Sequence, residues 1–187
     1  AVTVETVSEK EEPAPSPMVE KQVLPVVPVW NVKGTGPAGG IVFYDKGFYS
    51  DGWRYLEAAP SDEQNLCEWG QYASGEGRHD VGIGAGRSNT ESLVGSEENG
   101  DTEGAAWVCA SKVVVSDGVA YDDWFLPSRD ELEVLLKLRD SIELSKSWYW
   151  SSSEVSPELA WEGDARSGGT CPYYKSSLHA VRAVRAF

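Results

Sequence analysis

Residues 123–136, DWFLPSRDELEVLL, constrain the fold more tightly than any other stretch of the chain. Ser128 and Glu131 make the S-x-x-E pattern in which hydroxyl and carboxylate satisfy each other's orphan amides at a helix start. Leu132, Leu135, Leu136 and Leu138 follow at helical spacing, so the predicted helix turns a leucine face to a core. Beyond residue 147 the period changes: SWYWSSS, ELAWEG and LHAVRAVRAF read as short strands rich in aromatic and β-branched residues. Leu178, Ala180, Ala183 and Phe187 do not alternate cleanly, which predicts a bulge or burial on both sides.

The same reading extends towards the N-terminus. GGIVFYD at 39–45 and WRYLEAAP at 53–60 are bounded by Gly, Asp and Pro, and predict the two strands of a hairpin. Residues 61–100 are polar and glycine-rich and read as a long irregular stretch. EGAAWVCASK at 103–112 predicts a second helix, with Asp101 or Thr102 as its cap. Residues 1–35 read as a tether. Pro13, Pro15, Pro17, Pro25 and Pro28 remove backbone donors and favour extended chain, although Val29 and Trp30 are able to dock on the domain. With 187 residues there is room for one ordinary domain, here 36–187, and the pattern of elements makes it α+β.

Composition removes several classes of partner. The formal charge of -14 leaves no clustered Lys and Arg for a phosphate backbone, so nucleic acid is not expected. Anionic membrane surfaces and polyanionic glycans are disfavoured by the same repulsion. No run of about 20 apolar residues predicts a bilayer span.

Taken in order, GPAGGIVFYD, GWRYLEAAP, GIGAGRSNT, DWFLPSRDEL, YWSSSE, AW and VRAVRAF resemble the carboxy-terminal domain of bacterial collagen-like adhesins. The resemblance covers roughly 36–187 and implies a C-type-lectin-like fold with two helices, short antiparallel strands and long loops. It also implies a secreted, periplasmic or surface-exposed binding module, sometimes trimeric, that engages a glycan or a protein.

Ser151, Ser152 and Ser153 lack a G-x-S-x-G elbow, and small hydroxyls packed against Trp explain them. The related lectin-like oxidases use two reactive cysteines near the carboxy terminus, where this chain has Cys171 alone. No pair of carboxylates is singled out for glycoside chemistry. The chain is therefore expected to be non-catalytic, with an enzyme on that scaffold or a purely structural domain as the alternatives.

Glu91, Glu97, Glu98, Asp101 and Glu103 offer oxygens of the kind calcium takes, but EF-hand spacing and the calcium motifs of sugar-binding lectins are missing. The stretch reads as a solvated acidic loop, and no metal or cofactor is expected. Trp53, Trp69, Trp124 and Trp150 are expected in the core or at its rim. Arg182 and Arg185 are expected to pair with carboxylates such as Asp123, Asp130 or Glu131. Cys67 and Cys171, both in predicted loops, are the expected disulfide, leaving Cys109 buried and reduced.

The binding site is expected in the loop 154–175, which interleaves Trp161, Tyr173 and Tyr174 with Glu154, Glu162, Asp164, Arg166 and Lys175. Exposed rings would supply area, and Glu162, Asp164 and Lys175 around them would select a neutral or cationic partner.

Overall fold

The computed structural model describes residues 28–70, 80–95 and 104–187. Within them the protein is α+β, with four helices and three small antiparallel sheets. Strands β1 (Ile41–Ser50) and β2 (Trp53–Ala58) form the expected hairpin. Its turn, Asp51–Gly52, has positive φ at both residues, the left-handed pair that matches the twist of two-residue hairpins. Asp117–Gly118 repeats the device between β3 (Val114–Ser116) and β4 (Val119–Tyr121), a hairpin the sequence reading did not identify.

The glycines of GPAGG are explained by crowding. Glu57 is fully buried and accepts from the amides of Ala38 at 3.1 Å and Gly40 at 2.8 Å. A Cβ at Gly36 would stand 2.4 Å from the Glu57 carboxyl carbon, and one at Gly40 would stand 1.9 Å from the Ala58 carbonyl. The carboxylate thus clamps a loop that only glycine permits to come so close.

Helix α1 (Gly86–Gly95) lies inside the stretch expected to be irregular. It carries no apolar stripe because hydrogen bonds dock it instead. Asn89 Nδ2 donates to Asp80 O at 2.7 Å and to Ser152 Oγ at 3.2 Å. Thr90 Oγ1 accepts from Leu126 N at 3.0 Å. Helix α2 (Ala105–Ala110) is shorter than expected and starts from Gly104, without a side-chain cap; Asp101 and Thr102 lie outside the described residues.

Helix α3 (Arg129–Lys137) begins as predicted. The Ser128 hydroxyl accepts from Glu131 N at 3.3 Å, and the Glu131 carboxylate accepts from Ser128 N at 2.7 Å. Leu132, Leu135 and Leu136 are fully buried. The one-turn helix α4 (Arg139–Ile142) follows directly.

Strands β5 (Trp148–Glu154), β6 (Leu159–Asp164) and β7 (Thr170–Tyr174) make a sheet in sequence order. Of the strand expected over LHAVRAVRAF, only β8 (Val184–Ala186) forms, and it pairs with β2. Phe125 and Val184 bridge the two halves through reciprocal backbone bonds at 2.8 and 2.9 Å. The core lies between the sheets and helices. One part surrounds Trp69, Trp124 and Trp150, and the other packs Phe43, Leu56 and Tyr149 on the α3 leucines. Trp53 is half-buried at the rim.

Both arginines of VRAVRAF are structural. Arg185 grips Asp123 through Nε at 2.8 Å and a terminal nitrogen at 3.0 Å, as expected. Arg182 instead meets Asp62, at 2.7 Å, and donates to the carbonyls of Ala59 and Ile142. Glu131 is committed to its cap, and Asp130 pairs with Arg129. The described chain begins upstream of Gly34: Trp30 stands edge-on to Phe187, with ring centroids 5.8 Å apart. No helix among the described residues is long and apolar enough to cross a membrane.

Candidate ligand-binding face

The stretch 154–175 is a hairpin, β6 and β7, rather than a loop. Pro172 and the Gly168–Gly169 turn suggested irregular chain, but β7 is the edge strand of its sheet, where a proline costs no ladder bond. The register sets Trp161 opposite Pro172, Glu162 opposite Cys171 and Ala160 opposite Tyr173.

The aromatic part of the expected site is presented. Tyr173 is 44% and Tyr174 63% exposed, their rings nearly perpendicular with centroids 6.2 Å apart. Trp161 is half-buried, and the Arg129 guanidinium lies over its ring at 5.0 Å. Arg129, at the first turn of α3, is a member of this face that its position in the sequence gave no reason to include. Arg166 is largely exposed; its guanidinium stacks on Trp148 at 5.4 Å and its Nε contacts Asp164 at 3.3 Å. Asp164 accepts from the Arg166 amide at 2.9 Å, and that bond leads the causes holding its carboxyl below the ordinary value.

Three of the expected charges do not surround the tyrosines. Lys175 and Glu154 are buried and form an ion pair with each other, and the ammonium sits 4.5 Å from the centre of the Trp69 ring. Glu162 is buried too, its Oε2 at 2.6 Å from His179 Nε2 and its Oε1 accepting from the Cys171 thiol at 3.4 Å. Burial raises the Glu162 carboxyl and lowers the His179 imidazole, each towards its neutral form. His179 in turn lies under Tyr173, 5.4 Å between ring centroids, and packs on Trp150 at 4.4 Å. These groups fix the back of the hairpin. The polar groups left at its surface are Asp164 and Arg166, with Arg129 beside Trp161.

Other candidates resolve into structure. Ser151, Ser152 and Ser153 are fully buried. Ser151 Oγ donates to Trp161 O and Ser153 Oγ to Asp80 O, each at 2.8 Å, so both hydroxyls are engaged in holding strands and loops together. The expected Cys67–Cys171 disulfide is not formed. Cys67 exchanges backbone bonds with His179 at 3.0 Å, while the Cys171 side chain points to Glu162. Cys109 is buried as expected, and burial drives its thiol well above the usual range. Burial, reinforced by Glu162, also raises the Cys171 thiol, which works against a thiolate there. Among the described residues no group of three His, Cys, Asp or Glu is placed to hold a metal. Glu91 is exposed on α1, and Glu97, Glu98, Asp101 and Glu103 lie outside the described residues.

Comparison with known protein families and with curated proteins finds no match for this chain.

Proposed function

We propose that the chain is a non-catalytic binding module on a C-type-lectin-like scaffold, secreted, periplasmic or displayed at a bacterial surface. Its ligand is a glycan or a protein taken up on the β6–β7 hairpin. The observation that carries this reading is the pair Tyr173 and Tyr174, exposed side by side on an edge strand. Behind that strand, the Lys175–Glu154 and Glu162–His179 contacts and the Trp150 ring fix the backbone. Rings held in place in this way lose little freedom when a partner covers them, and Tyr supplies both area and a hydroxyl.

Trp161 extends the face, with Asp164, Arg166 and Arg129 as its polar groups. The net charge of -14 favours a neutral or cationic partner. C-type-lectin-like domains gather their binding residues near the last strands, which is where this hairpin falls.

A glycan and protein array on the full chain tests the reading. Saturable binding is expected, weakened at least about tenfold by Tyr173→Ser with Tyr174→Ser, and by Trp161→Ala. The tyrosine double variant should melt within a few degrees of the parent. Turnover of a small substrate would overturn the non-catalytic reading. Collapse of the tyrosine variant would show that the rings belong to the core.

A further inference from the structure

Helix α2 lies against the chain between Glu63 and Trp69, and two contacts fix how. At its start the Ala105 amide donates to the carbonyls of Glu68 and Trp69, both at 3.1 Å. Beyond its end Lys112 Nζ meets Glu63 Oε1 at 2.6 Å, with both side chains largely shielded from solvent. The helix therefore runs antiparallel to this segment. What α2 presents between the two contacts faces the residues between Glu63 and Glu68. Ala105 and Cys109, one turn apart, share a face. Ala105, Ala106 and Cys109 are buried and small, so no bulky side chain holds the two backbones apart.

Cys67 stands opposite that face. Its carbonyl accepts from Trp150 Nε1 at 3.0 Å, and its backbone is paired with His179, so its place is set from the other side. It is half-buried and packs on the core cluster to which Cys109 belongs. From the Ala105–Glu68 contact, Cys109 is about 6 Å further along the helix and Cys67 is about 3 Å away along extended chain, in the same direction. Burial is the first cause of the raised Cys109 thiol, and Glu63, Cys67 and Lys112 then act on it electrostatically, as near neighbours do. All three cysteines are thiols, and Cys171 is set apart on β7, exposed, donating to Glu162 at 3.4 Å.

From this arrangement we infer that Cys67 and Cys109 are a disulfide site, closed by exchange with a small disulfide such as glutathione disulfide. The Cys67 thiolate, the more accessible of the two, attacks one sulfur of glutathione disulfide and releases one glutathione thiolate. Cys109 then loses its proton, and its sulfur attacks Cys67 Sγ and releases the second. The protein thiols give up two electrons, glutathione disulfide takes them, and the two glutathiones carry off the protons. Because the Cys109 thiol is held well above its ordinary range, the second exchange is the slow one at neutral pH. The bond ties α2 to the segment before it and closes a loop that contains α1, which stabilises the fold by restricting the unfolded chain. It is independent of the β6–β7 face, and each reading stands or falls without the other.

Non-reducing peptide mapping of the full chain tests the inference in two arms. In one, the reduced protein is held folded in glutathione disulfide; in the other, it is refolded from urea in a glutathione redox mixture, so that access to Cys109 sets no limit. A Cys67–Cys109 cross-link is expected, at the least in the refolded chain, with Cys171 recovered as thiol or glutathione adduct. The bridged protein should melt about 5–15 °C above the reduced one. In Cys67→Ser that gain should vanish, and Cys109 should stay a thiol that alkylates only on unfolding. Since Cys67 is half-buried, this variant carries the test even if Cys109→Ser fails to fold. Absence of the cross-link in both arms, a bridge to Cys171 in its place, or a bridged protein that melts no higher than the reduced one overturns the inference.

Discussion

Replacing Lys175 by Met removes the cation from a pair whose side chains are only 1% and 2% exposed. The thioether fills much of the same volume, so the principal change is electrostatic: the Glu154 carboxylate is left in the interior without its ammonium partner. Breaking a buried pair from one side costs about 3–5 kcal/mol, a large share of the roughly 5–15 kcal/mol that holds a domain together. At roughly 2–4 °C per kcal/mol for a chain of this size, the melting temperature should fall by about 6–20 °C. The variant also loses the ammonium–Trp69 contact, at 4.5 Å, so the single substitution does not isolate the pair. A cycle does. Adding Glu154→Gln to Lys175→Met removes the Glu154 charge while the Trp69 contact stays absent, so the double variant should recover at least about 1.5 kcal/mol over Lys175→Met. Urea and thermal melts followed by circular dichroism measure all four proteins. A loss below about 1 kcal/mol in the single variant, or a double variant no more stable than it, would refute the account of these residues as interior structure.

Gly40→Ala should destabilise by about 2–3 kcal/mol or more, since its Cβ meets the Ala58 carbonyl at 1.9 Å, whereas Gly47→Ala meets nothing within 4 Å and should cost only the roughly 1–2 kcal/mol of its left-handed φ; equal losses in denaturant would contradict the clamp drawn at Glu57. On acidification, Asp62 and Asp123 set one limit. Burial raises both carboxyls, but Ser145, Arg182 and Tyr149 for the first, and Arg185 for the second, bring them below 3.8 overall. Each therefore binds fewer protons folded than unfolded, so its stabilisation is present above pH 3.8 and lost as pH falls through the folded value. Glu57, Glu131 and Glu162 are raised by burial and act with the opposite sign: their contribution is full below 4.5 and lost as pH rises. His179, lowered by burial, opposes them as pH falls below 6.5. With three carboxyls against one imidazole, melts across pH should show a maximum on the acid side of neutrality and a steep loss below 3.8; a maximum at alkaline pH would contradict the assignment. Alkylation of the folded chain should label Cys171 before Cys109, with Cys109 reacting only on unfolding, and mass mapping under non-reducing conditions should find no Cys67–Cys171 bridge.

What could be read in advance followed the range of the interactions. The Ser128–Glu131 cap and the leucines behind it are encoded within about two helical turns, and both appeared where the pattern put them. The β1–β2 hairpin was legible for the same reason. Helix α1 was not, because Asn89 and Thr90 dock it through hydrogen bonds to Asp80, Ser152 and Leu126, which leave no hydrophobic period behind. The candidate face divided along the same line. Tyr173 and Tyr174 were expected at the surface and are there. Lys175, Glu154 and Glu162 look like surface charges in any local window. Their burial depends on partners such as Glu154 21 residues from Lys175, and on Trp69 and His179, which no local pattern reveals. Arg182 met Asp62, 120 residues away, for the same reason.

The strand order β1-β2-β8 has a consequence for how the chain is made. Glu57 on β2 and Arg185 on β8 are 128 residues apart, and everything between them leaves the ribosome before the third strand does. Until then β2 has a bare edge, the amides of Arg54 and Tyr55 lack the Phe187 carbonyl, and Phe125 lacks its partner Val184. Vectorial synthesis thus yields a hairpin and a capped helix early but no closed core. Completion of this domain is a late event, and from the emergence of β2 until that of β8 the nascent chain carries an open sheet edge. The yield of a chain built this way should therefore respond to elongation rate more than to small changes in final stability.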